Sequence, residues 1–84
     1  MASTTLTLIG KPGCHLCDDA RAVVTTVLEG FDSVKLDELS ILDDTELYAK
    51  YVEEIPVLLL NGKVHNIWRV DPARLTRALT EATA

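Results

Sequence analysis

Between residues 4 and 29 the apolar pattern changes its period, and the change falls on a break, Gly10-Lys11-Pro12-Gly13. Before the break, Thr4 to Ile9 is β-branched and aliphatic, with Leu6 and Leu8 on one face and Thr7 and Ile9 on the other. Almost uncharged on either face, it reads as a central strand covered on both sides. After the break, Leu16, Ala20, Val23, Val24, Val27 and Leu28 recur at helical spacing, while Asp18, Asp19, Arg21, Thr25 and Glu29 fall mostly elsewhere. Into this strand-to-helix corner the chain puts its only two cysteines, Cys14 and Cys17.

Two sulfurs at C-x-x-C spacing can act as a redox pair, close a disulfide staple or supply half of a zinc site. As a staple the pair is poor, because the loop it closes is tiny and removes little unfolded-state entropy. A closed zinc site needs two more ligands. His15 lies between the cysteines and His65 is far along the chain, so neither supplies one convincingly. A working dithiol in a reducing compartment, the cytoplasm, fits the cysteine usage best.

The rest of the chain reads in order. Gly30 supplies a C′ stop, with Phe31 as the apolar contact beyond the cap. Val34 to Leu39 alternates apolar with charged residues, which predicts an edge strand with one wet face. Asp43-Asp44-Thr45-Glu46 has the form of a capping-box start, followed by a short helix that turns Leu47, Tyr48, Tyr51 and Val52 inward. Glu53-Glu54-Ile55-Pro56 leads into a buried strand, Val57 to Leu60. Asn61-Gly62 is a strong two-residue hairpin signal, so Lys63 to Trp68 returns antiparallel. Asp71-Pro72 is an N-cap followed by proline at the first helical position, and Leu75, Ala78, Leu79 and Ala82 line that helix's inner face.

The order βαβαββα predicts an α/β chain with a four-stranded mixed sheet between helices, a three-layer α/β/α domain spanning 1–84. Right-handed crossovers would set the first three strands parallel, with the hairpin adding an antiparallel edge. The net charge of −5 gives no basic face for nucleic acid or an anionic membrane. The longest apolar run, Ile55 to Leu60, is strand-sized and contains Pro56, far short of a membrane span. Met1 to Thr5 carries no basic segment or long apolar stretch of a signal peptide.

With C-x-x-C closing the first strand and Ile55-Pro56 before the third, the chain resembles the thioredoxin fold. Its small size and its Lys11, Cys14, Cys17 and Pro56, in that order on those elements, resemble the compact bacterial glutaredoxin-like proteins. The resemblance implies a thiol–disulfide oxidoreductase active in electron transport and cell redox homeostasis, monomeric, with Cys14 as nucleophile and Cys17 as resolving thiol. A helix N-terminus at Cys14 favours the negative sulfur such a nucleophile needs. Asp18, one turn further on, opposes it by a similar amount, on the order of 1 kcal/mol, which suits a reductant.

The resemblance also implies that Pro56 is cis and faces the dithiol, that the Ile55 backbone offers strand-like hydrogen bonds to a substrate, and that Lys11 pairs with the glycine carboxylate of glutathione. His15 would tune the sulfur beside it. Substrates would be protein or small-molecule disulfides, with no bound cofactor. The electron donor would be glutathione, another low-molecular-weight thiol or a flavoprotein reductase. The metal alternative is a cluster or ion held by Cys14 together with an external thiol.

The chain departs from the glutaredoxin pattern twice. Glu54-Ile55 stands where Thr-Val precedes the proline, and Ile67-Trp68-Arg69-Val70 stands where the family has a Gly-Gly turn. Asp71 could match the acidic residue after that glycine pair, but as an N-cap it already has a structural task. Trp68 could form a rim of the substrate groove, though a single aromatic ending a strand reads first as packing; His65 reads as a solvent-facing strand residue, and Arg69, Arg74 and Arg77 as a solvated helix face.

Overall fold

In a computed structural model, the chain runs β1 (Thr4–Gly10), α1 (His15–Leu28), β2 (Val34–Ser40), α2 (Thr45–Tyr51), β3 (Val57–Leu60), β4 (Lys63–Ile67) and α3 (Pro72–Thr83). The structure describes residues 4–83; Met1–Ser3, the start of the stretch read above for a leader, lie outside the described residues. The sheet has the order β2-β1-β3-β4, with β2 and β4 at its edges. β1 is the inner strand that the uncharged Thr4–Ile9 pattern requires.

One face of the sheet packs on α1 and α3. Leu6, Leu8 and Leu58 meet Ala20 and Val24 of α1 and Leu75 and Leu79 of α3, all buried. The other face carries Ile9 and Val57 against Ile41 and Tyr51, with Leu47, Val52, Ile55, Leu59 and Ile67 packed around them. The odd–even split of β1 between Leu6/Leu8 and Ile9 thus divides the core into two layers, as a period of two demands. Tyr48 does not join it: it is exposed, and only Leu47, Tyr51 and Val52 of its helix turn inward.

β1 and β2 are parallel, from Thr4 opposite Val34 to Gly10 opposite Ser40. β3, expected parallel, runs antiparallel to β1, with Val57 opposite Ile9 and Leu60 opposite Leu6. β3 enters from the end of the sheet where β2 stopped, Val57 lying opposite Ile9 near the end of β1, and travels the other way.

Local signals explain most boundaries. The Asp44 side chain caps α2 by accepting from Glu46 N–H (2.8 Å) and Leu47 N–H (3.4 Å). With Asp44 as cap, the third helical position is Leu47, so Glu46 does not complete a capping box. Asp71 accepts from Ala73 N–H (2.9 Å) and Arg74 N–H (3.3 Å) and caps α3. Asn61 (φ 51°) and Gly62 (φ 86°) form the tight turn of the β3–β4 hairpin. Asn61 also ties that turn to β1, accepting from Thr5 N–H through its side chain and donating its own N–H to Thr5 O, both at 2.9 Å.

Gly30 follows the C-cap Glu29 and so is the C′ residue that the sequence predicts; the helix end tightens into i→i−3 bonds, Glu29 to Thr26 (3.3 Å), Gly30 to Val27 (3.1 Å) and Phe31 to Leu28 (3.0 Å), with no left-handed glycine there. Phe31 still packs on the core as expected. In β4, Leu58 faces Asn66 but Leu59 faces Val64, so His65 is the extra residue of a bulge. One inserted residue reverses the alternation. His65 is therefore half-buried rather than solvent-facing, and burial, then the nearby Arg74, lowers its pKa.

Candidate active site

The pairing of Ile9 with Val57 and of Val57 with Ile67 brings three chain segments to one end of the sheet. β1 leaves there through Gly10 into the cysteine loop, β3 enters there from Pro56, and β4 leaves there into Trp68. The N-terminus of α1 opens at the same end, after Gly13 (φ 74°) turns the chain. The C-x-x-C pair and the proline, 39 residues apart at their closest, are thus neighbours in the fold by strand register.

Cys14 is the N-cap of α1. Its backbone is extended (φ −98°, ψ 114°) and its sulfur accepts from Cys17 N–H at 3.2 Å, where a serine or aspartate oxygen would ordinarily sit. Its carbonyl accepts the first helical bond from Asp18 N–H (3.0 Å). Cys14 is partly exposed and Cys17 is buried at 2% exposure; both are free thiols. One sulfur therefore meets solvent while the other waits behind it.

Burial, followed by the hydrogen bond with Cys14, pushes the Cys17 thiol up from 9.0 to about 11, although the Lys11 backbone N–H donates to it in the opposite sense. Its sulfur presses against β1: a Cβ on Gly10 would lie 2.7 Å from Cys17 Sγ and 3.2 Å from its Cβ. Only glycine fits there.

Cys17 also borders a cavity of about 420 Å³ shared with Lys11, Asp18, Arg21, Glu38 and Asp43. Arg21 organises those charges. It pairs with Asp18 one turn back at 3.1 Å, and its Nε donates to Glu38 of β2. Asp18, which the sequence places as an uncompensated negative charge below Cys14, is thus offset by its own neighbour. Lys11 is exposed on the cavity's rim, and His15 is exposed as the first residue of α1.

On the proline side, the Ile55–Pro56 peptide is cis. The Ile55 N–H already donates to Tyr51 O (3.1 Å), so its carbonyl is the group left for a strand-like contact. Pro56 O accepts from Trp68 N–H at 2.8 Å. Trp68 lies in the left-handed region (φ 65°), and Arg69 N–H closes a three-residue turn on Ile67 O at 2.8 Å. A bulky residue in that conformation costs on the order of 1–3 kcal/mol and persists only when its surroundings hold it. The hold here is the Pro56 bond and a second, from Trp68 Nε1 to Glu53 O at 3.1 Å. Trp68 is 53% exposed, which overturns its reading as strand-end packing.

The glutaredoxin-like domain model (DUF836) matches residues 5–80. The chain belongs to the glutaredoxin-like domain family. Protein Rv0508 of Mycobacterium tuberculosis, itself uncharacterized, is 28% identical over 99% of this chain and 90% of its own length. The X-ray structure of target protein XcR50 from X. campestris is 30% identical, with a TM-score of 0.70 over 90% of this chain and 96% of that one. Mitochondrial thioredoxin 3 from Saccharomyces cerevisiae, in its oxidized form, shares the fold alone: 12% identity and a TM-score of 0.69 over 96% of this chain and 80% of that one.

In this glutaredoxin-like domain, Cys14, Cys17 and Pro56 converge at one end of the sheet. Lys11 and His15 stand beside the sulfurs, and Ile55 contributes backbone. Sequence reasoning passed over two residues near the thiols, Gly10 and Arg21, and ranked a third, Trp68, as packing ahead of a groove rim. Gly10 was legible only as a turn residue, because its contact is with a side chain seven positions on. Arg21 hides in the polar stripe of α1 until β2 brings Glu38 to it. Trp68 stands where the family's glycine pair would sit, and its left-handed backbone is the conformation that a glycine there would adopt without strain.

Proposed function

We propose that the protein is a dithiol–disulfide oxidoreductase that reduces disulfides in two exchange steps. In the first, the Cys14 thiolate attacks one sulfur of a substrate disulfide, forming a Cys14–substrate disulfide and releasing the other substrate sulfur as a thiolate. In the second, the Cys17 thiolate attacks Cys14 Sγ, releases the remaining substrate thiolate and leaves a Cys14–Cys17 disulfide. Two electrons pass to the substrate. A low-molecular-weight thiol such as glutathione, or a flavoprotein reductase, returns them.

The observation that carries this reading is the asymmetry of the pair: a partly exposed sulfur capping α1, with a buried sulfur one turn behind it. The N–H that Cys17 donates to Cys14 Sγ supports the nucleophile's charge through a hydrogen bond and an N-terminal helix dipole. Lys11 offers a positive charge to an incoming carboxylate, His15 borders the attacking sulfur, and Ile55 O next to Pro56 accepts from substrate backbone. The protein works as a monomer in a reducing compartment, the cytoplasm.

A disulfide-reduction assay on Cys14→Ser and Cys17→Ser tests the assignment. Cys14→Ser is inactive, whereas Cys17→Ser accumulates a mixed disulfide visible by intact-protein mass spectrometry. Activity that survives loss of Cys14 rejects the reading.

A further inference from the structure

A second groove, of about 220 Å³, opens between α1 and the turn after β4. The two exchange steps do not use it. Leu16, Ala20 and Val23 form its α1 wall, Trp68 and Val70 the opposite wall, and Asp19 and Arg69 stand with them. Leu16 is the residue between His15 and Cys17, so the groove begins within the C-x-x-C loop itself. Both Leu16 (41%) and Trp68 (53%) are open to solvent.

Trp68 is held out of the core. Its backbone N–H is bonded to Pro56 O and its indole Nε1 to Glu53 O, which ties the residue to the segment that carries the cis-proline. A hydrogen-bonded, partly exposed tryptophan that lines the same groove as an exposed leucine makes a lining suited to an apolar group, with few rotamers left to freeze on binding. A dry cavity of about 150 Å³ accepts a benzene ring, so this groove has room for one large side chain. It is too small for a folded element.

We infer that the slot between Trp68 and Leu16 takes one large apolar side chain, aromatic or leucine-like, adjacent to the reacting cysteine of a polypeptide disulfide, making Trp68 a specificity-determining residue. The inference rests on the dithiol reading above. During the first exchange the substrate cysteine is covalently joined to Cys14, so its neighbouring residue is held at high local concentration beside Leu16, and a modest contact suffices. Glutathione, with charged ends and no large apolar side chain, leaves the slot unfilled. The acidic chain, with a net charge of −5, adds no preference for an acidic flank.

Two peptides test this, identical except for phenylalanine or serine on both sides of a single cysteine, each carried as its disulfide with 2-mercaptoethanol. The full-length reduced protein should reduce the phenylalanine peptide with a kcat/KM about tenfold higher. In Trp68→Gly, which suits the left-handed backbone and so keeps the turn, the ratio should fall to within about twofold of one. Trp68 is the only tryptophan, so its fluorescence gives an independent readout. In Cys17→Ser protein, the trapped phenylalanine peptide should shift the emission to the blue and the serine peptide should not. Equal kcat/KM for the two peptides, a ratio that survives Trp68→Gly, or identical emission in the two trapped adducts overturns the slot while the dithiol reading stands. Reduction of neither peptide overturns the dithiol reading and the slot with it.

Discussion

The Cys17 sulfur rests on Gly10: a methyl group placed on the Gly10 Cα would come to 2.7 Å of Cys17 Sγ, inside any permitted contact. Gly10 ends β1 and is buried, and Cys17 is the innermost residue of the first turn of α1. The Cys17 thiol therefore takes its depth and direction from the absence of a side chain seven residues earlier. Gly10→Ala must move either the strand end or the first turn of the helix. It should destabilise the reduced protein by about 1–3 kcal/mol in urea unfolding. It should also slow closure of the Cys14–Cys17 disulfide more than it slows the first exchange. Equal effects on both steps would show that Gly10 serves the fold only.

The Cys17 thiol, raised to about 11 chiefly by burial and then by its bond with Cys14, makes two statements about pH. The first concerns stability. Between about pH 9 and 11 an unfolded Cys17 has lost its proton while the folded one keeps it, so the native state binds more protons and stability falls as pH rises. The contribution is intact below pH 9 and lost through pH 11, about 2–3 kcal/mol in all. The oxidised protein has no thiol to titrate and should not share the fall. Urea unfolding of both redox forms at pH 8, 9.5 and 11 measures it.

The second statement concerns rate. In the proposed second step Cys17 attacks as a thiolate, so resolution should accelerate with pH across 7–9, approaching tenfold per unit while the thiolate is scarce. Once Cys14 is joined to substrate, the Cys14 contribution to the raised pKa is gone and burial remains. The apparent pKa of resolution should then fall below about 11. Stopped-flow measurement of the second step against pH decides it; a pH-independent rate would mean that something other than Cys17 ionisation limits closure.

Arg21 bridges Asp18 and Glu38 at the cavity that Cys17 borders. All three side chains are largely exposed, so the pairs are screened and contribute little to stability, within about 1 kcal/mol. Their effect is local. Arg21→Gln frees the Asp18 carboxylate one turn from Cys14, where it opposes a negative sulfur. The first exchange should slow by a few-fold at low ionic strength, and the difference should close at 1 M salt, where the Debye length is about 3 Å. A salt-independent loss would point to a steric cause.

Much of this architecture is legible in the chain because the signals are local. The period change across Gly10–Gly13, the Asn61-Gly62 turn and the Asp71-Pro72 start each depend on residues within a few positions. The thiol pair and the proline stand out for the same reason. What the sequence hides is set by contacts between distant segments. β3 pairs antiparallel with a strand some fifty residues earlier, and His65 turns inward because the β4 ladder is bulged there. Trp68 reads as packing because nothing local says its backbone is left-handed. Gly10 and Arg21 matter through Cys17 and Glu38, which only the fold brings beside them.

Asp71 allows the structural and ligand-binding readings of one carboxylate to be separated. Its position after the turn at Trp68 invites comparison with the acidic residue of glutathione-binding relatives. Here one oxygen, Oδ1, accepts from Ala73 N–H and Arg74 N–H, leaving the pair of backbone donors at the α3 N-terminus already occupied. Asp71→Ala should cost about 1 kcal/mol of stability, and Asp71→Ser, which keeps an acceptor without a charge, should restore most of it. If capping is the whole role, kcat/KM for reduction with glutathione as donor should be the same in Asp71→Ser as in the parent. A stable Asp71→Ser protein whose glutathione KM rises tenfold or more would instead assign the carboxylate to the donor's ammonium group.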